Sequence, residues 1–262
     1  MSYRNSNHSI NRIGGTGAGS RKGQGIYEES SVVKYDIGEK LELADGRVYR
    51  YASFLSGAGA GLLVAQNLST TSVVDTENSI IAAANGFSPA AGSLKFQITL
   101  GSVTKDQYAG ALFQVTDGGI QYRIKSNSAT AATTAGKVDI YLYDPLQTAL
   151  ATTSDFAIVG NLWYNVGLAS MAGIGSDYII SGVTSRAMTA SYYGWIQTAG
   201  IAMIQCDGGI GIGVPVQMSD DEDSVGSVQP RDAVAEATNI GLSLYAGDNN
   251  GWVGVMLTGL VP

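Results

Sequence analysis

A single histidine, His8, and a single cysteine, Cys206, limit the chemistry open to this chain of 262 residues. A Ser–His–Asp or Cys–His constellation needs its base held on a rigid scaffold. His8 sits instead in a Gly/Ser/Asn-rich opening segment. Cys206 ends the apolar run Ile201-Ala-Met-Ile-Gln-Cys206 and reads as a buried structural thiol. One cysteine forms no intrachain disulfide and builds no thiolate zinc site within one chain. The densest acidic run, Asp220-Asp-Glu-Asp223, has the oxygen ligands that Ca²⁺ takes. It lacks the alternating spacing and turn glycine of an EF-hand, so a solvated loop tip is the plainer reading. Gly14-Gly-Thr-Gly-Ala-Gly-Ser20 has no Lys-Ser/Thr after its last glycine and is no P-loop. Gly57-Ala-Gly-Ala-Gly61 and Gly209-Ile-Gly-Ile-Gly213 have the wrong spacing for a dinucleotide fingerprint; close backbone packing in a barrel explains them better. Carboxylate pairs of the glycosidase kind have no nominee. The expectation is a chain without cofactor, metal site or catalytic residues.

What remains points to contact surfaces. Tyrosine is the abundant aromatic, with 14 copies. Tyr141, Tyr143, Tyr164, Tyr192 and Tyr193 lie near Trp163 and Trp195 in the sequence. These residue types suit cores and protein interfaces, and also sugar-binding surfaces. Charged residues are only 14% of the chain against 45% hydrophobic, with 35 glycines. That balance fits sheets whose surface is covered by neighbours better than long helices. The net charge of −7 argues against nucleic acid as the main partner. The charge is uneven. Residues 1–25 carry Arg4, Arg12, Arg21 and Lys22 and no acid, which leaves 11 of the 15 basic residues against all 22 acidic ones. A basic arm on an acidic body results, and those four side chains are the candidate partner-binding residues.

The arm lacks the apolar periodicity needed to fold alone. It has no apolar h-region, so no signal peptide is expected, and the uncharged stretches 156–176 and 187–206 are broken by Gly, Ser, Thr, Asn or Gln, so no membrane span is expected. From Ile26 onward strand patterns follow one another. Leu94-Lys-Phe-Gln-Ile-Thr-Leu100, Ile120-Gln-Tyr-Arg-Ile-Lys125, Val138-Asp-Ile-Tyr-Leu-Tyr143 and Leu242-Ser-Leu-Tyr-Ala246 alternate apolar and polar residues. Turn signals at 44–46, 117–119, 207–209 and 247–251 separate them. The predicted fold is all-β: small β-barrel or β-sandwich modules with an extended N-terminal arm. The predicted division is a flexible arm over 1–45, a sandwich or barrel over 46–182 and a barrel over 183–262. Asp-Gly-Gly-Ile recurs at 117–120 and 207–210, a faint sign of duplication.

Several segments resemble virion proteins of tailed phages, particularly those of cyanobacterial and aquatic hosts. They are Asp45-Gly-Arg-Val-Tyr-Arg-Tyr51, Leu142-Tyr-Asp-Pro-Leu-Gln-Thr-Ala-Leu150, Asn161-Leu-Trp-Tyr-Asn-Val166, Gly182-Val-Thr-Ser-Arg-Ala-Met-Thr-Ala190, Tyr193-Gly-Trp-Ile-Gln-Thr-Ala-Gly200, Asp207-Gly-Gly-Ile-Gly-Ile-Gly213 and Ile240-Gly-Leu-Ser-Leu244. The C-terminal pattern also looks like the small β-barrel modules of capsid decoration (cement) proteins. The resemblance implies a homotrimer seated on the major capsid protein lattice of the virion, assembled in the host cytoplasm, with arms reaching across capsomers. Two rival readings are a tail, adaptor or fibre component and a carbohydrate-binding β-sandwich.

Overall fold

A computed structural model describes residues 23–67, 73–75, 80–82, 86–115, 119–130, 136–169, 178–231, 239–258 and 260. Among the described residues there is no helix, and the chain is all-β. The first strands are β1 (Glu29–Ser30), β2 (Lys40–Glu42), β3 (Val48–Ser53), β4 (Leu63–Asn67), β5 (Val73–Asp75) and β6 (Lys95–Leu100). Next come β7 (Leu112–Val115), β8 (Gln121–Asn127), β9 (Gly136–Leu142), β10 (Phe156–Val159), β11 (Gly167–Leu168) and β12 (Tyr178–Thr184). The last are β13 (Tyr193–Gln205), β14 (Pro215–Met218), β15 (Val228–Pro230), β16 (Asn239–Ser243) and β17 (Trp252–Leu257).

The chain forms two compact units, one from residues 1–67 with 162–262 and one from 68–161. This differs from the division expected at 182/183, which would cut through β12. Antiparallel pairing of β3 with β13 and of β4 with β12 joins segments more than a hundred residues apart. The second unit is thus an insertion between β4 and β11. Turn signals mark where strands end but not which strands pair, so an insertion of this kind leaves no local trace.

The inserted unit is one antiparallel sheet in the order β5-β10-β7-β8-β9-β6. Its register puts Phe96 beside Ile140 and Ile98 beside Val138. The apolar phase of each alternating strand turns inward, burying Phe96, Ile98, Phe113, Ile124, Ile140 and Phe156. Asn127 ties the 104–108 loop to this sheet: its Oδ1 accepts from Tyr108 N at 2.8 Å and its Nδ2 donates to Thr104 O at 2.9 Å.

The larger unit is built from four copies of one strand–tip–strand element. The tips centre on Ala58, Met188, Ile210 and Gly247, and they pair as Ala58 with Met188 and Ile210 with Gly247. In each pair the two backbones exchange N–H···O bonds, at 3.0 and 2.7 Å for the first and 2.9 Å twice for the second. Three residues beyond each centre the chain takes a left-handed turn, at Gly61, Ser191, Gly213 and Asn250, with φ between 57° and 72° at all four. Gly57-Ala-Gly-Ala-Gly61 and Gly209-Ile-Gly-Ile-Gly213 are therefore the same tip in two copies, and these clusters carry the internal duplication rather than the Asp-Gly-Gly-Ile pairs. Strand pairing follows suit: β3 with β13 corresponds to the far half of β13 with β17, and β4 with β12 to β14 with β16. Strand β13 is long because it closes one pair of copies and opens the next.

Side chains repeat along with the backbone. Four residues before its tip centre, Thr184 donates through Oγ1 to Gly59 O at 2.6 Å and accepts from Leu62 N at 3.0 Å. Ser243 does the same in the second pair, to Gly211 O at 2.6 Å and from Val214 N at 2.9 Å. Cys206 occupies this position in its own copy and points its thiol at Asp248 O, 2.9 Å away. The thiol is buried, and burial pushes its pKa up. It acts as a protonated donor, not a nucleophile. Cys206→Ser therefore keeps the unfolding free energy within about 1 kcal/mol, while Cys206→Ala, which strips the donor and leaves a void, costs about 1–3 kcal/mol. Urea unfolding decides this, and a serine variant no better than alanine would refute the equivalence.

Residues 23–45 are not part of a free arm, contrary to the division expected at residue 45. β1 pairs with β13 and β2 with β3. Ile26 and Leu41, with Tyr35, Ile37 and Leu43 beside them, pack on Tyr49, Tyr51, Tyr193 and Trp195. The apolar residues after residue 25 are numerous enough to form a lid on the outer face of the first pair of copies.

Candidate docking surface and arm root

The four basic candidates, Arg4, Arg12, Arg21 and Lys22, lie outside the described residues, as does His8. The structure does define the root from which they extend. Gln24 is buried, and its side chain is fully engaged. Its Nε2 donates to Glu28 O and to Tyr193 O, both at 2.7 Å, and its Oε1 accepts from Tyr51 Oη at 2.6 Å. Trp195 Nε1 donates to Gln24 O at 3.0 Å. Rings of Tyr35, Tyr51 and Trp195 enclose this knot at centroid separations of 5.0–5.2 Å. Burial pushes the Tyr51 phenol up to about 12, so it stays a neutral donor at ordinary pH. Glu29 adds a second clamp: its carboxylate accepts from Thr189 N at 2.8 Å and pairs with Arg186 at 3.4 Å.

A second surface appears on the other pair of copies. Across β13, β17 and β16 the inward phase is core: Ala202, Ile204, Val253, Val255 and Ile240. The outward phase is also apolar. Ile201 pairs with Met256, and Met256 with Leu242, in one row across the sheet. Met203, Leu244 and Tyr245 form the next row, with Tyr245 Oη 3.1 Å from Met203 Sδ, and Trp252 follows. These seven side chains are 38–51% exposed. No Asp, Glu, Lys or Arg occurs in the three strands. The sequence carries the signal in Ile201-Ala-Met-Ile204 and Trp252-Val-Gly-Val-Met-Leu257, where both phases are apolar, the pattern of a strand meant to be covered on both faces.

No protein-family model matches this chain, and comparisons with curated proteins and with solved structures find no match. The site rests on its own geometry.

The other candidates divide or disperse. Tyr141 and Tyr143 belong to the inserted unit, where Arg123 lies 4.9 Å over the Tyr143 ring. Trp163 and Trp195 belong to the larger unit, Trp163 beneath Arg50 at 4.7 Å and Trp195 in the covered core. These aromatics, neighbours in sequence, are divided between the two units. In the acidic run Asp221 caps its own turn, accepting from Asp223 N at 2.9 Å, and Asp220, Asp221 and Glu222 are exposed. Among the described residues no group of three or more His, Cys, Asp or Glu side chains gathers to hold a metal. Among the same residues no helix is long and apolar enough to cross a membrane.

Proposed function

We propose that this chain is a non-catalytic structural protein of a virus particle: a decoration protein that binds the outside of a tailed-phage head and stabilises the major capsid protein lattice. The observation that carries this reading is the anchored root at Gln24, which ties a basic, acid-free segment to an acidic all-β body. Many identical copies, each binding only the expanded shell, add their binding free energy to that state. The basic segment loses conformational freedom when it docks, and contacts from Arg4, Arg12, Arg21 and Lys22 offset that cost. The resemblance of the segments between residues 45 and 262 to phage virion proteins supports the same placement, on the virion surface after assembly in the host cytoplasm.

Two measurements test the proposal. A quantitative gel of purified particles gives copies per virion; decoration predicts a number comparable to that of the capsid protein, and a handful of copies would move the protein to the tail. Deleting residues 1–22 leaves the Gln24 root intact and is expected to abolish capsid occupancy. Unchanged occupancy would refute the docking role of the arm.

A further inference from the structure

We infer that the outer face of β13, β17 and β16 is a contact surface for a second copy of this chain. The internal repeat makes this face equivalent to one on the first pair of copies. Ile201, Met203 and Gln205 occupy the positions that Tyr49, Tyr51 and Ser53 hold in the first pair of copies, because their partners Met256, Gly254 and Trp252 match Gln197, Trp195 and Tyr193. In the first pair this outer face is buried: Tyr51 is 0% and Trp195 3% exposed beneath residues 26–43. In the second pair the matching face carries Ile201, Met203, Leu242, Leu244, Tyr245, Trp252 and Met256, with no such lid among the described residues. The described residues thus present the same face twice and cover it once.

The chemistry of the bare face selects its occupant. It has no charged side chain and so offers no counter-charge to a nucleic acid or a strongly charged protein. A patch that is uncharged throughout meets the same patch of a second copy without like-charge repulsion, whatever the symmetry of the assembly. Seven half-exposed large side chains present on the order of 600 Å² of surface, at the top of the range for the largest apolar patch on a monomer and approaching the ~800 Å² each partner gives to a standard interface. Tyr245 and Trp252 supply the aromatic anchors that dominate such contacts. The strand edges of the patch are already paired on both sides of β17, so the contact is face to face rather than by strand addition.

The inference is separate from the particle reading, because it is measured on the purified full chain without capsid. Sedimentation velocity and light scattering across micromolar concentrations are expected to show a discrete oligomer of the 27.2 kDa chain. Ile201→Lys and Leu242→Glu each place a charge on an outward position of a different strand. Each is expected to weaken association by roughly tenfold or more while near-ultraviolet circular dichroism stays unchanged. If one variant fails to fold, the other carries the test, and Met203→Lys is a third outward site. A chain that stays at 27.2 kDa throughout would overturn the inference. So would an oligomer that both folded variants form as tightly as the parent. Protection of the face only when a capsid or tail protein is added would also overturn it.

Discussion

Trp195→Ala is expected to lower the unfolding free energy by roughly 3–5 kcal/mol, as a buried Trp truncated to Ala does elsewhere. Trp195 is 3% exposed, between the first pair of copies and the segment that covers it. Its loss opens a cavity against Tyr35 and Tyr51, whose rings stand 5.0 and 5.1 Å away. It also removes the N–H that Gln24 O accepts, leaving a buried carbonyl short of a donor. Residues 23–43 should then become the first site of proteolysis. Trp252→Ala is the internal control. Its ring is 47% exposed on the bare face, so in the monomer the same truncation is expected to cost about 1 kcal/mol. Guanidinium unfolding of both variants, at concentrations where the chain is monomeric, compares them. Equal losses would show that the two faces are not covered and bare as described.

The second large effect belongs to a glycine. Gly241 lies in β16 between Val216 of β14 and Leu257 of β17. A Cβ there would stand 2.0 Å from Met256 O and 2.9 Å from Val255 Cγ1. Backbone cannot swing aside as a flexible side chain would, so Gly241→Ala has to push β17 away along its ladder. The expected cost is about 3 kcal/mol, with a lower apparent cooperativity of unfolding as the sheet edge loosens. Gly209→Ala is the matched control, since nothing lies within 4 Å of its Cβ position. It should change stability by less than about 0.5 kcal/mol. Thermal unfolding separates the two. A Gly241→Ala variant as stable as the parent would mean the two strands do not approach so closely.

Lys95–Leu100 and Val138–Leu142 were legible because Phe96, Ile98 and Leu100, like Val138, Ile140 and Leu142, form one apolar phase that faces the core of the inserted unit, although Leu94 before them is exposed. The buried thiol of Cys206 was legible from its apolar neighbours. Its equivalence to Thr184 and Ser243 was not, because three different side chains meet the same need for a donor. The repeat was half visible in Gly57–Gly61 and Gly209–Gly213. In the other two copies Ser191 and Asn250 adopt the left-handed turn without a glycine, which hid them. The root at Gln24 was invisible, since one glutamine among glycines says nothing until Tyr51, Tyr193 and Trp195 surround it.

By itself the sequence determined the all-β character, the phases of β6, β8 and β9 and the charge split between residues 1–25 and the rest, since each follows from neighbouring residues or from composition; in the run Leu242–Ala246 the phase is reversed, with Ser243 inward and Leu242 and Leu244 exposed. The tertiary structure alone decided that 68–161 is an insertion, that residues 26–43 cover one sheet face, and that the equivalent face on β13, β17 and β16 is left bare. Those features depend on pairings between strands far apart in the chain, and backbone hydrogen bonds carry no side-chain label to announce their partner.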